Sequence, residues 1–352
     1  MNKANKLIKR KYFAAANSYR GFVSLFDEVF KSTKYDRLYV LKGGPGTGKS
    51  SFMKKVSSRL TEKFCDVDEI YCSSDPNSLD GIIACKNGKK IAIIDGTAPH
   101  ERDAKIPGAI DEIIDLAIGF DTRWLRSKRE EILSIGEEKK KAYESGYAYL
   151  KIAGDSNNMI KEEQNQCFDK TKAKIKAEEI LSLVPTSESI EISNCFISSF
   201  GRYGRYKIDD IENIVGKVVH VGGDDYTANI FISFILRLAK NKGVSFCRYL
   251  SPLDNSLCEG AQFIDANIAI VKSDFGEVDS KSYFLPNKVS EERTRRALEI
   301  KKEALEEAER WFAIAADLHS RLEEIYGGAM DFSLIDELFD KKMIEIENIL
   351  QI

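Results

Sequence analysis

Gly43-Gly44-Pro45-Gly46-Thr47-Gly48-Lys49-Ser50 is the stretch on which the reading of this chain turns. It follows G-x-x-x-x-G-K-[ST], the pattern of a phosphate-binding loop. The flanks agree: Arg37-Leu38-Tyr39-Val40-Leu41 reads as a buried strand, and Ser51 to Leu60 as a helix with Phe52, Met53, Val56 and Leu60 on one face. Glycines let backbone N–H groups turn inward and approach an anion closely. The helix N-terminus adds partial positive charge at the same point. Lys49 offers a point charge to β- and γ-phosphates, and the Ser50 hydroxyl a ligand for Mg²⁺. Gly43, Gly44, Pro45, Gly46, Thr47, Gly48, Lys49, Ser50 and Ser51 are therefore the expected binding segment.

The 352 residues suffice for two domains, and a hydrophobic content of 43% supports a large core. A net charge of −3 provides no global field for nucleic acid. The seven cysteines are odd in number and form no C-x-x-C pair, which argues against a disulfide framework or zinc site and for a reducing compartment. Lys3, Lys6, Lys9, Arg10 and Lys11 make a basic start with no apolar run behind it, so no signal peptide is expected. No stretch approaches the ~18 apolar residues of a membrane span. The expectation is a soluble cytoplasmic protein.

Before the first strand, Phe22, Leu25, Phe26, Val29 and Phe30 keep helical spacing. Val67 to Cys72 reads as a second strand, followed by a polar loop from Ser73 to Gly81. Ile91 to Asp95 reads as a third strand ending in a carboxylate, and Ile110 to Ala117 as a helix. From Trp124 to Leu183 the chain is rich in Lys and Glu and lacks proline, which predicts two long antiparallel helices broken near Gly154-Asp155-Ser156-Asn157-Asn158.

Pro185 begins a second cycle. Arg37 to Gly44 matches Lys217 to Gly223, Asn77-Ser78-Leu79 matches Asn255-Ser256-Leu257, Lys90 to Ile94 matches Asn267 to Val271, and Phe168-Asp169-Lys170 matches Phe339-Asp340-Lys341. Four ordered matches at a nearly constant spacing of about half the chain argue for tandem duplication. The second copy has lost the chemistry: Ala228 stands for Lys49, Asn229 for Ser50, and Lys272 for Asp95. Asp224 and Asp225 put negative charge where phosphates would sit, a clash of several kcal/mol at ~4 Å.

In the first copy Asp95 ends its strand as a Walker B aspartate does, a second expected Mg²⁺ ligand beside Ser50. Gly96 follows where many vigorous ATPases carry a water-activating Glu, so slow hydrolysis, a base from elsewhere, or transfer to a substrate hydroxyl is expected. Asp75, Asp80 and His100 are the candidates to move that proton, with turn capping as the plainer role for the two aspartates. Arg202 and Arg205 are in reach of a phosphate across the repeats if the halves face each other. His319 falls on the stripe Leu305, Ala308, Phe312, Ala315, His319, Leu322, Tyr326 and reads as a helix-seam residue, and His220 lies within a strand.

The combination resembles an uncharacterised family of bacterial ATPases, sometimes labelled nucleotide kinases, built from two tandem P-loop halves. The resemblance rests on Arg20-Gly21-Phe22, Lys42 to Lys55, Cys72 to Asp75 with Ser78 to Gly81, Asp95-Gly96-Thr97-Ala98-Pro99-His100, and Pro107-Gly108-Ala109 with Asp111-Glu112-Ile113. It covers residues 10–180 well and the rest weakly. It implies nucleotide binding; in that family the second half usually carries a working loop as well, and here it does not.

The expected fold is α/β: a P-loop NTPase fold duplicated in tandem, with parallel sheets flanked by helices and a helical hairpin on each copy, divided as 1–184 and 185–352. The expected function is Mg²⁺-dependent ATP binding with slow hydrolysis at one site, and a regulatory second half. ATP is favoured over GTP because no N-K-x-D signature occurs. A nucleotide or small-molecule kinase, and a non-hydrolysing switch or scaffold that presents its hairpins to a protein partner, are the alternatives.

Overall fold

The computed structural model describes residues 9–208, 210–285 and 291–352. Lys3 and Lys6 lie outside them, as does the start of the second helical hairpin, whose charged helical sequence runs from about 288 to 351. In the first half β1 (Lys9–Phe13) leads to a hairpin of β2 (Ala15–Ser18) and β3 (Gly21–Ser24), a single turn α1 (Phe26–Val29), β4 (Arg37–Lys42), α2 (Lys49–Glu62), β5 (Asp66–Tyr71), β6 (Leu79–Lys86), β7 (Lys89–Asp95) and β8 (Asp111–Asp115). Then come α3 (Thr122–Ser127), α4 (Arg129–Cys167) and α5 (Lys170–Ser182). The second half repeats the series as β9 (Ile192–Cys195), β10 (Ser198–Gly201), β11 (Gly204–Lys207), α6 (Ile211–Ile214), β12 (Lys217–Gly222), α7 (Asp225–Lys242), β13 (Phe246–Leu250), β14 (Cys258–Phe263), β15 (Ile268–Ser273), β16 (Val278–Asp279), α8 (Glu291–Gly327) and α9 (Phe332–Leu350).

Two six-stranded sheets result, ordered β1-β5-β6-β7-β4-β8 and, element for element, β9-β13-β14-β15-β12-β16. They are mixed rather than parallel throughout. β6 runs antiparallel to both neighbours, where a loop was expected as far as Gly81. The cause is local: Asn87 (φ 50°) and Gly88 (φ 74°) form the two-residue turn that folds β6 onto β7. The expected helix at 110–117 is instead strand β8, paired with β4. Asp111 is fully buried there and accepts hydrogen bonds from Ser32 Oγ and from the backbone N–H of Lys105 and Ile106, which ties the segment to the sheet edge. The expected helix through Phe22–Phe30 shrinks to α1, because Gly21 (φ 94°) turns β2 back into β3. The helical spacing there reports only that Phe26 and Phe30 are buried under the first sheet.

The duplication is real: Lys90–Ile94 stays matched to Asn267–Val271, the register at the loop shifts by one residue, and Asp169 corresponds to Asp331, the cap of α9, and not to Asp340 within that helix. Gly43 (φ 147°) and Gly223 (φ 138°) both end the strand before the helix, and both lie against a threonine hydroxyl, of Thr47 and Thr227. Lys49 therefore stands opposite Asn229, and Gly48 opposite Ala228. The halves meet about an approximate twofold relation. Phe13 and Phe196 exchange backbone hydrogen bonds of 2.8 and 2.9 Å at its centre. Tyr19 N–H donates to Leu253 O as Arg202 N–H donates to Ser74 O.

The helices do not form the expected self-contained hairpins. α4 runs unbroken through Gly154, because this position is a contact and not a turn: a Cβ there would lie 2.2 Å from Tyr19 Cβ. α4 packs along α8 of the other half, with Leu150, Ala153, Ala308 and Phe312 in the seam. The shorter helices are exchanged across the 184/185 boundary. Ala173, Ala177, Ile180 and Leu181 of α5 join the core of the second sheet, whereas Ile335, Met343, Ile346 and Leu350 of α9 join the core of the first. No helix among the described residues is long and apolar enough to cross a membrane.

Candidate functional site

At the carboxyl ends of β4, β5 and β7 the first sheet gathers the loop Gly43–Ser50, the turn Cys72–Ser78 and Asp95. Gly43, Gly46 and Gly48 all have positive φ (147°, 70° and 85°), a path open to glycine and strained for other residues. Thr47 Oγ1 donates to Gly44 O at 2.9 Å and pins the loop. The Lys49 ammonium curls back onto it, donating to Gly43 O (3.0 Å) and Gly44 O (2.8 Å), with Asp95 Oδ2 3.7 Å away. Asp95 Oδ1 accepts from the Thr97 N–H and hydroxyl at 2.9 and 2.6 Å, which fixes the carboxylate. Ser50 Oγ accepts from Leu79 N–H at 2.9 Å, joining the loop to β6. Ser51 is exposed.

Asp80 and His100 fall in the same place. Asp80 is 5% exposed; burial raises its carboxyl, His100 opposes and Asp95 adds to the rise, and the group is pushed up to about 6. His100 stacks on Phe26, ring centres 4.2 Å apart and 7° from parallel, and both its ring nitrogens are buried without a hydrogen-bond partner. One donor atom each from Asp80, Asp95 and His100 lie within 4.8 Å of one another. Asp75 stands at the rim. Its Oδ1 caps the turn by accepting Asn77 N–H at 2.9 Å, and its Oδ2 is 3.5 Å from Arg202 of the second half.

The other half completes the site. The C-terminal turn of α8 lies directly on the loop: a Cβ on Gly46 would be 2.3 Å from Glu323 O and 2.9 Å from Gly327 N. Phe120 and Tyr326 flank Gly44, and Phe332 flanks Gly48. His319, one turn back, is 3.7 Å from Glu323 and 3.4 Å from Lys139 of α4. Burial, then Lys139 and Lys49, push the His319 imidazole down to about 4. Burial and Asp75 raise the Glu323 carboxyl. Arg202 also bonds Asp317 at 3.1 Å. Arg202 thus crosses to the first site, whereas Arg205 stays in its own half.

In the second copy the equivalent place is filled by ion pairs. The helix begins at Asp225 with no preceding loop, and Asp224 caps it by accepting Tyr226 and Thr227 N–H. Asp225 bonds Lys272 and lies 3.4 Å from Lys301 and 3.5 Å from Arg205, which also bonds Glu259. Burial would raise the Asp225 carboxyl, but Arg205, Lys272 and Lys301 outweigh it and hold it well below the usual carboxylate range. Lys272 stands where Asp95 does, but its partner Asp225 comes from the first residue of α7 and not from Asn229, the counterpart of Lys49. Counted from the equivalent caps Asp169 and Asp331, Lys161 stands where Glu323 does; it bonds Asp254, the counterpart of Asp75, at 2.7 Å.

Comparison with protein-family models, with curated proteins and with solved structures gave no match. The residues that sequence reasoning missed are His319, Glu323 and Lys139. They sit on helix faces that read as seam or solvent, and only the packing of α8 on the loop brings them to the site. The repeat itself carried a signal, since matching Asp169 to Asp331 sets Lys161 against Glu323, a charge reversal on an otherwise equivalent face.

Proposed function

We propose that this chain has a duplicated P-loop NTPase fold, binds a magnesium–nucleoside triphosphate at Gly43–Ser51, ATP rather than GTP, and hydrolyses it slowly. The reading is supported above all by one observation: the left-handed glycines of the loop sit between β4 and α2 with Lys49 3.7 Å from the carboxylate that ends the neighbouring strand. Ser50 and Asp95 supply hydroxyl and carboxylate oxygens, the hard donors that Mg²⁺ takes. When bound, the ion neutralises phosphate charge. Lys49 leaves the carbonyls of Gly43 and Gly44 for the phosphate oxygens, and the loop N–H groups hold the rest of the charge. The carboxylate missing after Asp95 is supplied across the interface by Glu323, whose raised affinity for a proton suits it to accept one from the attacking water. Because α8 lies on the loop, nucleotide binding acts on the second half directly, which gives that half its regulatory role.

The test is a thermal shift with Mg²⁺ and ATP, together with phosphate release. The wild type is expected to gain stability and to release phosphate slowly, with one nucleotide bound per chain. Lys49→Ala loses both effects. Glu323→Gln keeps the thermal shift and loses release. An unchanged shift in Lys49→Ala sinks the reading. Transfer of phosphate to an added acceptor, with no release into water, replaces it with the kinase reading, which the surface cavity beside His100 lined by Ser24, Phe26, Asp27, Pro99 and Arg102 favours.

A further inference from the structure

The His100 imidazole is the group for which the nucleotide reading has no use. Its ring is oriented by the Phe26 stack, and neither nitrogen has a hydrogen-bond partner although both are buried. An unpartnered buried polar group costs about 1–3 kcal/mol, so a native structure retains one for a reason. Asp80 and Asp95 flank it, all three donors lie within 4.8 Å, and yet no hydrogen bond joins the ring to either carboxylate. Donors that share one ion about 2.1 Å away stand roughly 3–4 Å from each other, so small side-chain movements bring a set gathered within 4.8 Å onto a common ion.

The geometry points to Asp80, Asp95 and His100 as the ligands of a divalent transition-metal ion. One imidazole and two carboxylates suit Mn²⁺, Fe²⁺, Co²⁺ or Zn²⁺; Mg²⁺ takes oxygen and holds imidazole poorly. The surroundings are those of ligands held in place. Thr97 fixes Asp95 through its N–H and hydroxyl, and the Cys72 thiol lies beside Asp80. Three protein donors leave positions for water or for a phosphate oxygen presented by the loop beside them. The assignment deepens the nucleotide reading, on which it rests for the use made of the ion, and departs from it over which ion is held.

The experiment is titration of the chelator-stripped full chain with Mn²⁺ in the absence of nucleotide, following the loss of the free-ion signal by electron paramagnetic resonance. One Mn²⁺ per chain is expected, displaced only by a large excess of Mg²⁺. Asp80→Asn and His100→Ala each weaken it by about tenfold or more. Lys49→Ala retains it, so loss of nucleotide binding and loss of metal binding are separable. No binding, binding indifferent to His100→Ala, or Mg²⁺ competing equally overturns the assignment. Should His100→Ala fail to fold, the wild-type protein carries the readout: nitrogen modulation from an imidazole in the pulsed spectrum of bound Mn²⁺ supports it, and its absence overturns it.

Discussion

Gly46 shows how one residue can be required twice. Its φ of 70° costs a residue with a Cβ about 1–2 kcal/mol, and its Cα faces the Glu323 carbonyl with no room for a methyl group. Gly46→Ala is expected to lower stability by about 2–4 kcal/mol, read as a fall in the urea midpoint. Gly48→Ala, at φ 85° but 3.5 Å from the nearest Phe332 atom, is expected to lose only the backbone part, about 1–2 kcal/mol. Equal losses would mean that the α8 contact contributes nothing. The sequence motif asks for glycine at position 48 and leaves position 46 open; only the structure, through the backbone φ and the α8 contact, shows why Gly46 is a glycine. His319 provides a pH signature of the same contact. Its folded-state affinity for protons is depressed, so the unfolded chain binds more protons below about pH 6.5, and stability falls as pH drops from there toward about 4. The side chain is 44% exposed, so screening limits the effect to about 1 kcal/mol or less. As pH falls from about 6.5 toward 4, the stability of wild type relative to His319→Gln should drop by this amount, a shift in favour of the variant. A constant offset at all pH values would rule the titration out.

Among the elements, α2 and α7 occupy equivalent places and do different work. α2 starts after a loop that leaves its first N–H groups available, whereas α7 starts on its own Asp224 cap. The Asp225 network then takes the place of a ligand. Breaking a buried ion pair by removing one partner costs about 3–5 kcal/mol; with the Asp225 side chain 35% exposed, Asp225→Ala is expected to cost about 2 kcal/mol. Replacing Asp225 and Lys272 together by Leu and Met is expected to recover part of that loss, because Arg205 keeps Glu259 and only Lys301 is left without its partner. Urea unfolding of the single and double variants checks both, and a double variant as unstable as the single would show that the charges were not the cause. The loss of Lys49 and Ser50 from the second copy was legible as substitutions. That the replacement residues satisfy one another was not, because Arg205, Glu259 and Lys301 come from three separate elements.

For the molecule as a whole, the exchange of α5 and α9 makes the halves interdependent. Ile335, Met343, Ile346 and Leu350 of α9 each remove apolar surface worth about 1.5–3 kcal/mol from water, a total comparable with the 5–15 kcal/mol stability of a domain. Residues 1–184 expressed alone are therefore expected to lack a cooperative urea transition; a sharp two-state transition for that fragment would show that its sheet does not need α9. The linear chain was informative wherever neighbours in sequence are neighbours in space. It determined the strand, loop and helix around Gly43–Ser50, the strand ending at Asp95, the duplication and the degeneracy of the second loop, because glycine φ, helix period and charge act locally. It misread residues 22–30, where Gly21 makes a local hairpin turn, and 110–117 and 154–158, where Asp111 and Tyr19 impose geometry through partners elsewhere in the chain. The pairing of β6 with β5, the crossing of α5 and α9, and the placement of His319, Glu323 and Arg202 over the Gly43–Ser50 loop belong to the tertiary structure alone. Periodicity marks which face of a helix is apolar, but the hydrophobic effect is non-directional and does not name the surface that will cover it.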